Sequence, residues 1–286
     1  MGNLHAGHYA LVERAQQQAQ TTILTIYINP MQFAPTEDLA QYPRTLDADL
    51  ELCRAWGVDV VLVLSDKEMY PYGLSHAFQL IPPKELDDCY YGKLRPHFFT
   101  GVSTVVCKLF TLIQPHIAVF GLKDAQQYTI IQRMVKDMQL PLNIIGVYTA
   151  RDEAGLALSS RNQYLSDAQK QDAQLLSQTL LLGQALYKNK SIPSRELLNE
   201  QMLAFFNAQA PDSLVIDYID IVDIETFQPV DAVTLEHFMI IAAHYETSNM
   251  SVRLLDTLQL CETPLFSMQA AVKMHLEKHT HAPVLV

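Results

Sequence analysis

The sequence predicts an α/β fold: a Rossmann-like, doubly wound parallel sheet followed by a smaller α+β carboxyl-terminal domain. In the first half, short apolar runs alternate with helical patterns, which is typical of parallel sheets. Strands with alternating apolar and polar residues occur only near the carboxyl end. The length of 286 residues suits one large domain and one small one.

In the first half, apolar, β-rich runs are predicted to be strands buried on both faces: residues 23–28, 58–64, 117–120 and 142–147. Helices with apolar residues at three- and four-residue spacing fill the gaps: residues 9–20, 45–56, 102–113 and 124–138. The ligand site of such a sheet lies beyond the carboxyl ends of its strands. This half, residues 1–164, is predicted to be the nucleotide-binding domain.

The pattern changes after about residue 165. A long helix is predicted at 166–188, then a break at 191–194 and a second helix to about residue 208. A small antiparallel sheet follows, with strands at 216–222, 238–243 and 252–255. The predicted domains are therefore 1–164, 165–257 and an extension at 258–286 with a helix around 268–277.

Charge and cysteine content exclude several classes. Twenty Lys and Arg against thirty-one Asp and Glu give a net charge of −11, which disfavours binding to nucleic acid or anionic membranes. No apolar run reaches the roughly 18 residues of a membrane span, so we expect a cytoplasmic protein. The four cysteines form no CxxC pair, which predicts mostly buried, reduced thiols and no metal site.

The segment MGNLHAGH at residues 1–8 precedes a helix and carries two imidazoles. His5 and His8 can lie together on the first helical turn, beside backbone N–H groups that have no helical partner. Such a turn favours an anion, and phosphate is the expected one. Taken alone, the motif is explained equally well by two surface histidines.

Two further segments have the composition of phosphate-binding loops. Gly121, Lys123 and Asp124 lie where a strand ends and a helix begins, although an ordinary capped helix with a solvated lysine has the same pattern. The run 158–162 offers two hydroxyls and a guanidinium, and a helix cap is the alternative. The stretch from Gly121 to Arg161 has five basic and four acidic residues, so it does not share the excess of acidic residues found in the whole chain.

The ordered motifs resemble the pantothenate synthetase family, the pantoate–β-alanine ligases of the HIGH-motif nucleotidylyltransferase superfamily. The similarity extends from residue 1 to about residue 256. Its motifs are MGNLHAGH (1–8), YINPMQF (27–33), YPRT (42–45), GVSTVVCKL (101–109), GLKDAQQ (121–127), GLALSSRNQYL (155–165), IDIVD (219–223) and RLLD (253–256).

The resemblance implies an ATP-dependent condensation of pantoate with β-alanine to pantothenate. The implied route forms a pantoyl adenylate, releases pyrophosphate and then AMP, and uses Mg²⁺ held mainly by phosphate and water oxygens. The family also implies a homodimer. Two alternatives stay open: a nucleotidylyltransferase with another acceptor, and an impaired or non-catalytic relative retained for binding.

The resemblance also assigns roles to individual residues. The implied catalytic residues are His5, His8, Lys123 and Arg161, with His8 as proton donor. The resemblance implies that Gln32, Gln127 and Asn29 bind pantoate. The implied ATP-binding residues are Met1, Gly2, Asn3, Leu4, His5, Ala6, Gly7, His8, Gly121, Leu122, Lys123, Asp124, Ala150, Leu158, Ser159, Ser160 and Arg161.

The sequence departs from the family pattern in several places. The family usually has Glu at Leu122, His at Phe98, Asp at Ala154 and Val at Ala150. Family members also carry a helix and a strand ahead of the Met-Gly pair. We therefore expect this sequence to be an amino-terminally truncated form, with the first, central strand of the sheet missing.

Overall fold

The computed structural model describes residues 1–34, 38–189, 194–246 and 251–263. These residues form two compact units. Unit 1 contains Met1–Leu122 and Gln126–Val147, and unit 2 contains Lys123–Ala125 and the chain from Tyr148 onward. The boundaries predicted at residues 164 and 257 are those of independently folding domains. The two compact units do not test independent folding, so these boundaries stay predictions.

Unit 1 alternates strands and helices, as the periodicity predicts. Its strands are β1 (Ile23–Ile26), β2 (Val60–Val63), β3 (Ile117–Gly121) and β4 (Asn143–Val147). Its helices are α1 (Ala6–Gln18), α2 (Leu46–Ala55), α3 (Asp66–Met69), α4 (Lys84–Asp87), α5 (Tyr90–Leu94), α6 (Phe98–Ile113) and α7 (Ala125–Asp137, whose first residue belongs to unit 2). Short 3-10 turns occur at Pro30–Gln32, Asp38–Ala40, Leu74–His76 and Leu122–Asp124.

The parallel strands form two separate pairs. Strand β1 pairs with β2, and β3 pairs with β4, both in parallel. Helix α1 packs against β3 and β4. The prediction that the strands are buried on both faces is wrong: β2 is exposed at both ends, and β3 is half-buried along its length. Each of the four described strands of unit 1 also pairs with a neighbouring strand on one side only.

Helix α6 begins four residues before its predicted start. The helix follows His97, whose φ of 71° is in the left-handed region that few residues other than glycine adopt. Phe98 and Phe99 then form the first turn, with their rings 5.0 Å apart. Phe98 and Phe99 lie four and three residues before Val102 and continue the helical spacing, so the helix start is marked by the left-handed His97 and not by a change of periodicity.

Unit 2 packs two helices on an antiparallel sheet. The helices are α8 (Asp167–Lys188) and α9 (Arg195–Asn207), and the sheet order is β5 (Leu214–Val222), β6 (Phe238–Glu246) and β7 (Ser251–Gln259). A 3-10 turn at Ser160–Tyr164 precedes α8. Leu182, Met202 and Met239 are fully buried between the layers. Gly183 is required there, since a Cβ at this position would lie 2.3 Å from the Met202 sulfur.

The predicted fold class is confirmed: an α/β arrangement of parallel strands and a carboxyl-terminal antiparallel sheet. The break at 191–193, the helix around 268–277 and most of the extension at 258–286 lie outside the described residues.

All four cysteines are free, but the prediction that they are mostly buried is wrong. Only Cys53 is buried, whereas Cys89 and Cys107 are half-buried and Cys261 is exposed. Cys89 and Cys261 lie outside the helices and strands, and Cys107 lies in the second half of α6, where burial is partial.

Candidate active site

The two histidines of the amino-terminal motif cap helix α1 together. Nδ1 of His5 accepts a hydrogen bond from the backbone N–H of Gly7 at 3.1 Å. The backbone N–H of His5 donates to Nδ1 of His8 at 3.2 Å. The two ring centroids are 4.1 Å apart. This reciprocal arrangement is a capping box built from two imidazoles in place of the usual hydroxyl and carboxylate.

The capping bonds determine the tautomer of both rings. A neutral imidazole has one N–H donor and one acceptor nitrogen. Because both Nδ1 atoms accept, the proton of each neutral ring lies on Nε2. Two Nε2–H donors therefore lie beside the amino terminus of α1, where the helix dipole also favours negative charge.

Asp49 on helix α2 holds the loop that leads into this turn. Its carboxylate accepts the backbone N–H of Asn3 at 2.9 Å and that of Leu4 at 2.7 Å. The hydroxyl of Thr45 donates to the same carboxylate at 3.1 Å. Gly2 adopts a φ of 83°, and a Cβ there would lie 3.0 Å from Asp49 Oδ2. The loop is thus fixed against a buried carboxylate.

Asp49 belongs to none of the motifs that the sequence singles out. A usable signal exists, because Asp49 and Cys53 are the two buried residues of α2 and lie four residues apart on the same face. A carboxylate on the buried face of a helix requires hydrogen-bond donors. The backbone N–H groups of Asn3 and Leu4 are those donors.

A cavity of about 300 Å³ lies at the carboxyl ends of β1 and β2. This is the edge where parallel sheets bind ligands. Two of the predicted nucleotide-binding residues, Met1 and Gly2, line it. The remaining wall comes from the two strand ends and from the start of α2, including Tyr27, Arg44, Thr45, Asp49 and Asp66.

Asn29 and Gln32, two of the predicted pantoate-binding residues, contact each other. The Asn29 amide is buried and donates to Gln32 Oε1 at 3.2 Å and to the carbonyl of Gly101 at 3.1 Å. Its Oδ1 accepts the hydroxyl of Tyr70 at 2.7 Å. Burial, with the nearby Asp66 charge, raises the pKa of Tyr70 to about 12, so Tyr70 stays a donor. Asn29 thus orients Gln32.

Gln32 also contacts the amino-terminal loop. Its amide Nε2 donates to the sulfur of Met1 at 2.9 Å. The backbone carbonyl of Gln32 accepts the guanidinium of Arg95 at 3.0 Å. Unit 1 therefore brings a predicted pantoate-binding residue beside the predicted nucleotide-binding loop.

Gln127, the third predicted pantoate-binding residue, is half-buried on the first turn of α7. The fixed amide in this turn is that of the neighbouring Gln126, which is 4% exposed. Gln126 donates to the carbonyls of Leu86 and Cys89 and accepts the backbone N–H of Tyr91. The role of Gln126 is therefore to hold the short helices α4 and α5.

Arg95 occupies the space beside Phe98, where the family usually has His. Its guanidinium carbon lies 4.2 Å from the Phe98 ring centroid, a favourable cation–π distance. It also donates to the hydroxyl of Tyr91 at 2.8 Å. The Phe98 ring thus packs on a buried guanidinium.

Lys123 and Asp124 form an ion pair in unit 2, at 3.3 Å between Nζ and Oδ1. The Lys123 side chain is 18% exposed, so Lys123 is not an ordinary solvated lysine. Leu122, in unit 1, is buried. A Cβ on Gly146 would lie 2.8 Å from its side chain, so Leu122 fills the space above β4.

The segment 150–162 in unit 2 is a folded loop. The backbone N–H of Leu158 donates to the carbonyl of Ala150 at 2.9 Å, which brings two predicted nucleotide-binding residues together. Ser159 Oγ accepts the backbone N–H of Arg161 at 3.3 Å and caps the following turn.

The tip of this loop is shaped by Asp152. Its carboxylate accepts the backbone N–H groups of Ala154 and Leu156 at 3.0 and 2.9 Å. Ala154, where the family usually has Asp, contributes no carboxylate there. Asp152 and Glu153 are the nearest carboxylates along the chain.

Within each unit, the structure groups the predicted residues as follows. Unit 1 brings His5 and His8 together and places Gln32 beside Met1. Unit 2 contains Lys123, Ser159 and Arg161. The convergence of both groups on one triphosphate stays a prediction.

The described residues show neither a metal cluster nor a membrane helix. In the part of the chain that the structure describes, no three His, Cys, Asp or Glu side chains are grouped so that they could hold a metal ion. Within residues 1–34, 38–189, 194–246 and 251–263, every helix is too short or too polar to cross a bilayer.

The fold and the loops define the class of α/β proteins with parallel strands and a ligand site at the strand ends. The sequence profile described as "Pantoate-beta-alanine ligase" matches residues 1–259. The chain belongs to the pantoate-beta-alanine ligase family.

Comparisons with individual proteins agree with this family assignment. The chain is 43% identical over 242 residues to a bifunctional pantoate ligase/cytidylate kinase of Thermosynechococcus vestitus, covering 85% of this chain and 47% of that protein. The chain thus spans about half the length of the first curated relatives it matches. A pantothenate synthetase structure from Thermus thermophilus matches with a TM-score of 0.84 and 37% identity, covering 91% of both chains.

A second solved structure carries ligands. It is a pantoate-beta-alanine ligase from Francisella tularensis complexed with beta-gamma ATP and beta-alanine. Its TM-score to this chain is 0.67 at 28% identity, and the match covers 92% of this chain and 88% of that one.

Proposed function

We propose that this chain condenses pantoate with β-alanine to pantothenate and converts ATP to AMP and pyrophosphate. The observation that carries the proposal is the imidazole capping box at His5 and His8, with Gln32 beside the same loop. This pairing joins a phosphate-binding turn to a polar amide suited to a hydroxy acid. Family membership over residues 1–259 supports the same reaction.

In the first half-reaction, the pantoate carboxylate attacks the α-phosphorus of ATP and displaces pyrophosphate. In the second, the amine of β-alanine displaces AMP from the acyl carbon. Both steps concentrate negative charge on phosphate oxygens. Fixed donors aimed at those oxygens are therefore expected to supply most of the acceleration.

The Nε2–H groups of His5 and His8 are the donors that we assign to the phosphates, with His8 as proton donor. Their Nδ1 atoms are held by backbone bonds, so the rings need not reorganise when phosphate binds. Lys123, Ser159, Ser160 and Arg161 are likewise assigned to phosphate binding. Removing one donor of this kind commonly lowers the rate by ~10²- to 10³-fold.

Gln32, Gln127 and Asn29 are assigned to pantoate. An amide both donates and accepts, so it can satisfy a hydroxyl and a carboxylate. Asn29 acts through Gln32, since its amide is buried and donates to Gln32 Oε1. We also propose that Mg²⁺ enters with ATP on phosphate and water oxygens, and no residue of this chain is assigned to it. The homodimer and the cytoplasmic location stay predictions.

The test is a coupled assay for AMP with the purified chain. We expect AMP, and no ADP, only when ATP, pantoate and β-alanine are all present. Pyrophosphate exchange that ignores pantoate would instead favour a nucleotidylyltransferase with another acceptor. Calorimetric ATP binding without any turnover would favour a non-catalytic relative.

A further inference from the structure

A buried ion pair lies beneath the loop at 150–162 in unit 2. Arg151, at the start of this loop, pairs with Asp256 on β7, and their side chains are 6% and 2% exposed. The guanidinium also donates to the carbonyls of Gly155 and Thr257, both at 3.2 Å. One side chain therefore binds its own loop and the sheet at the same time.

Thr257, the next residue on β7, connects this pair to Lys123. Its hydroxyl donates to the backbone carbonyl of Lys123 at 3.1 Å. Its backbone N–H donates to Asp256 Oδ1 at 2.7 Å, and its carbonyl accepts the hydroxyl of Thr149 at 3.0 Å. Thr257 is 4% exposed, so these bonds are shielded from water. The backbone at Lys123 and the loop start are thus bonded to adjacent residues of one strand.

Buried polar groups of this kind determine a conformation sharply. Separating the partners of a buried ion pair leaves an uncompensated charge, so moving the start of the loop away from Asp256 costs free energy. The loop continues from Arg151 through the Asp152 turn to Ser159 and Arg161, the residues assigned to phosphate. Catalytic groups need this support, because a displacement of about 1 Å can lower a rate by ~10²-fold.

We propose that Asp256 and Thr257 are positioning residues for phosphate binding. Asp256 fixes the 150–162 loop through Arg151, and Thr257 fixes Lys123 through its backbone carbonyl. Together they set the distance between two phosphate-binding elements that are separated in sequence. The assignment to phosphate binding rests on the proposed function. The hold of Asp256 on the loop and of Thr257 on Lys123, which we call the clamp, can be measured without turnover.

The test compares four variants of the full chain. Asp256→Asn removes the charge without changing the shape, and Thr257→Val removes the hydroxyl without changing the volume. Thr257→Ser keeps the hydroxyl and serves as the conservative rescue. Asp217→Asn is the control, since Asp217 is a similarly buried carboxylate that pairs with Arg253 on the same strand as Asp256 and Thr257.

Backbone hydrogen exchange is the first measurement. In Asp256→Asn we expect exchange to become about tenfold faster in peptides covering residues 150–162. In Thr257→Val we expect the same change in peptides covering residues 118–127. Thr257→Ser and Asp217→Asn should leave both sets within about twofold of the parent protein. Unchanged exchange in both Asp256→Asn and Thr257→Val would overturn the proposal.

Steady-state kinetics is the second measurement. A clamp for phosphate binding predicts that the KM for ATP rises about tenfold in Thr257→Val while the KM for β-alanine stays within about twofold. Thr257→Ser should restore the parent values. Equal changes in both KM values, or the same changes in Asp217→Asn, would indicate general destabilisation and overturn the positioning role.

Failure of the proposed function gives a different result. In that case the parent protein forms no AMP, whereas the exchange experiment still decides whether the clamp exists. If Asp256→Asn does not fold, the Thr257→Val and Thr257→Ser pair decides alone, because both changes are small and leave the ion pair intact.

Discussion

Asp49 accepts the backbone N–H of Leu4 at 2.7 Å, although 45 positions separate the two residues in sequence. The same carboxylate accepts Asn3 and lies against Gly2. Helix α2 therefore determines where the amino-terminal loop lies, and through it where the His5 and His8 rings stand. The position of the two imidazoles depends on a side chain that binds no substrate in our proposal.

We predict that Asp49→Asn lowers both stability and activity. The amide keeps one acceptor oxygen but turns an NH₂ group toward a backbone N–H, which leaves a buried donor unpaired. The expected loss is about 1–3 kcal/mol in the free energy of unfolding and ~10- to 100-fold in kcat/KM for ATP. Urea unfolding and AMP release measure the two effects. Asp47→Asn, at an exposed position of the same turn, should change neither.

His5 allows the capping and phosphate roles to be separated. His5→Asn replaces the imidazole with one of the preferred amino-terminal caps, so the helix should keep its stability. The Nε2–H donor is lost, and AMP formation should fall by ~10²-fold. Thermal unfolding and the coupled assay give the comparison. A His5→Asn variant with normal turnover would remove His5 from the catalytic assignment.

His8→Ala removes a cap and a donor in one change. We expect unfolding to become easier by about 1 kcal/mol and turnover to fall by ~10²- to 10³-fold. Circular dichroism during urea titration gives the first quantity, and AMP release gives the second. An activity loss below about tenfold would contradict the assignment of His8 as proton donor.

Gly101 allows the turn that carries Gln32 to approach helix α6. A Cβ at this position would lie 2.6 Å from the carbonyl oxygen of Met31 and 2.8 Å from the backbone N of Gln32. Gly101→Ala must therefore displace the turn, at a cost of about 1–3 kcal/mol. We expect the KM for pantoate to rise at least about tenfold and the KM for ATP to change less, as measured by varying each substrate. Equal KM values in parent and variant would contradict this.

Glu262 is predicted to make stability depend on pH near neutrality. Burial raises the pKa of its carboxyl to about 7, although Arg151 attracts the charged form. The unfolded carboxyl titrates near ~4.3, so the folded state binds the proton more tightly. This contribution to stability is fully present below about pH 4 and is lost as the pH rises through about 7.

The expected loss between about pH 5 and about pH 8 is about 1–2 kcal/mol, since partial contact with water screens the charge. Urea unfolding at the two pH values measures it. Glu262→Gln should remove most of this dependence, whereas Glu200→Gln, at an exposed position of α9, should retain it. Parallel pH profiles for the parent and Glu262→Gln would show that Glu262 does not titrate in this range.

The helices and strands were predictable because their signals are local. Apolar spacing identified α1, α2, α7 and α8 to within a few residues at each end. The start of α6 was not predictable, because it depends on His97 adopting a left-handed conformation. The exposure of both ends of β2 was not predictable either, since burial depends on what packs against the strand and not on its own sequence.

By itself, the sequence determined the fold class, the family and the set of residues that the motifs assign to substrates. These features follow from residue types at fixed spacings, which a single chain displays directly. Only the tertiary structure decided how those residues are held. The bonds from Asp49 to Leu4, from Asn29 to Gln32 and from Thr257 to Lys123 join positions far apart in sequence or depend on side-chain orientation. No local pattern contains that information, because such contacts exist only after the chain has folded.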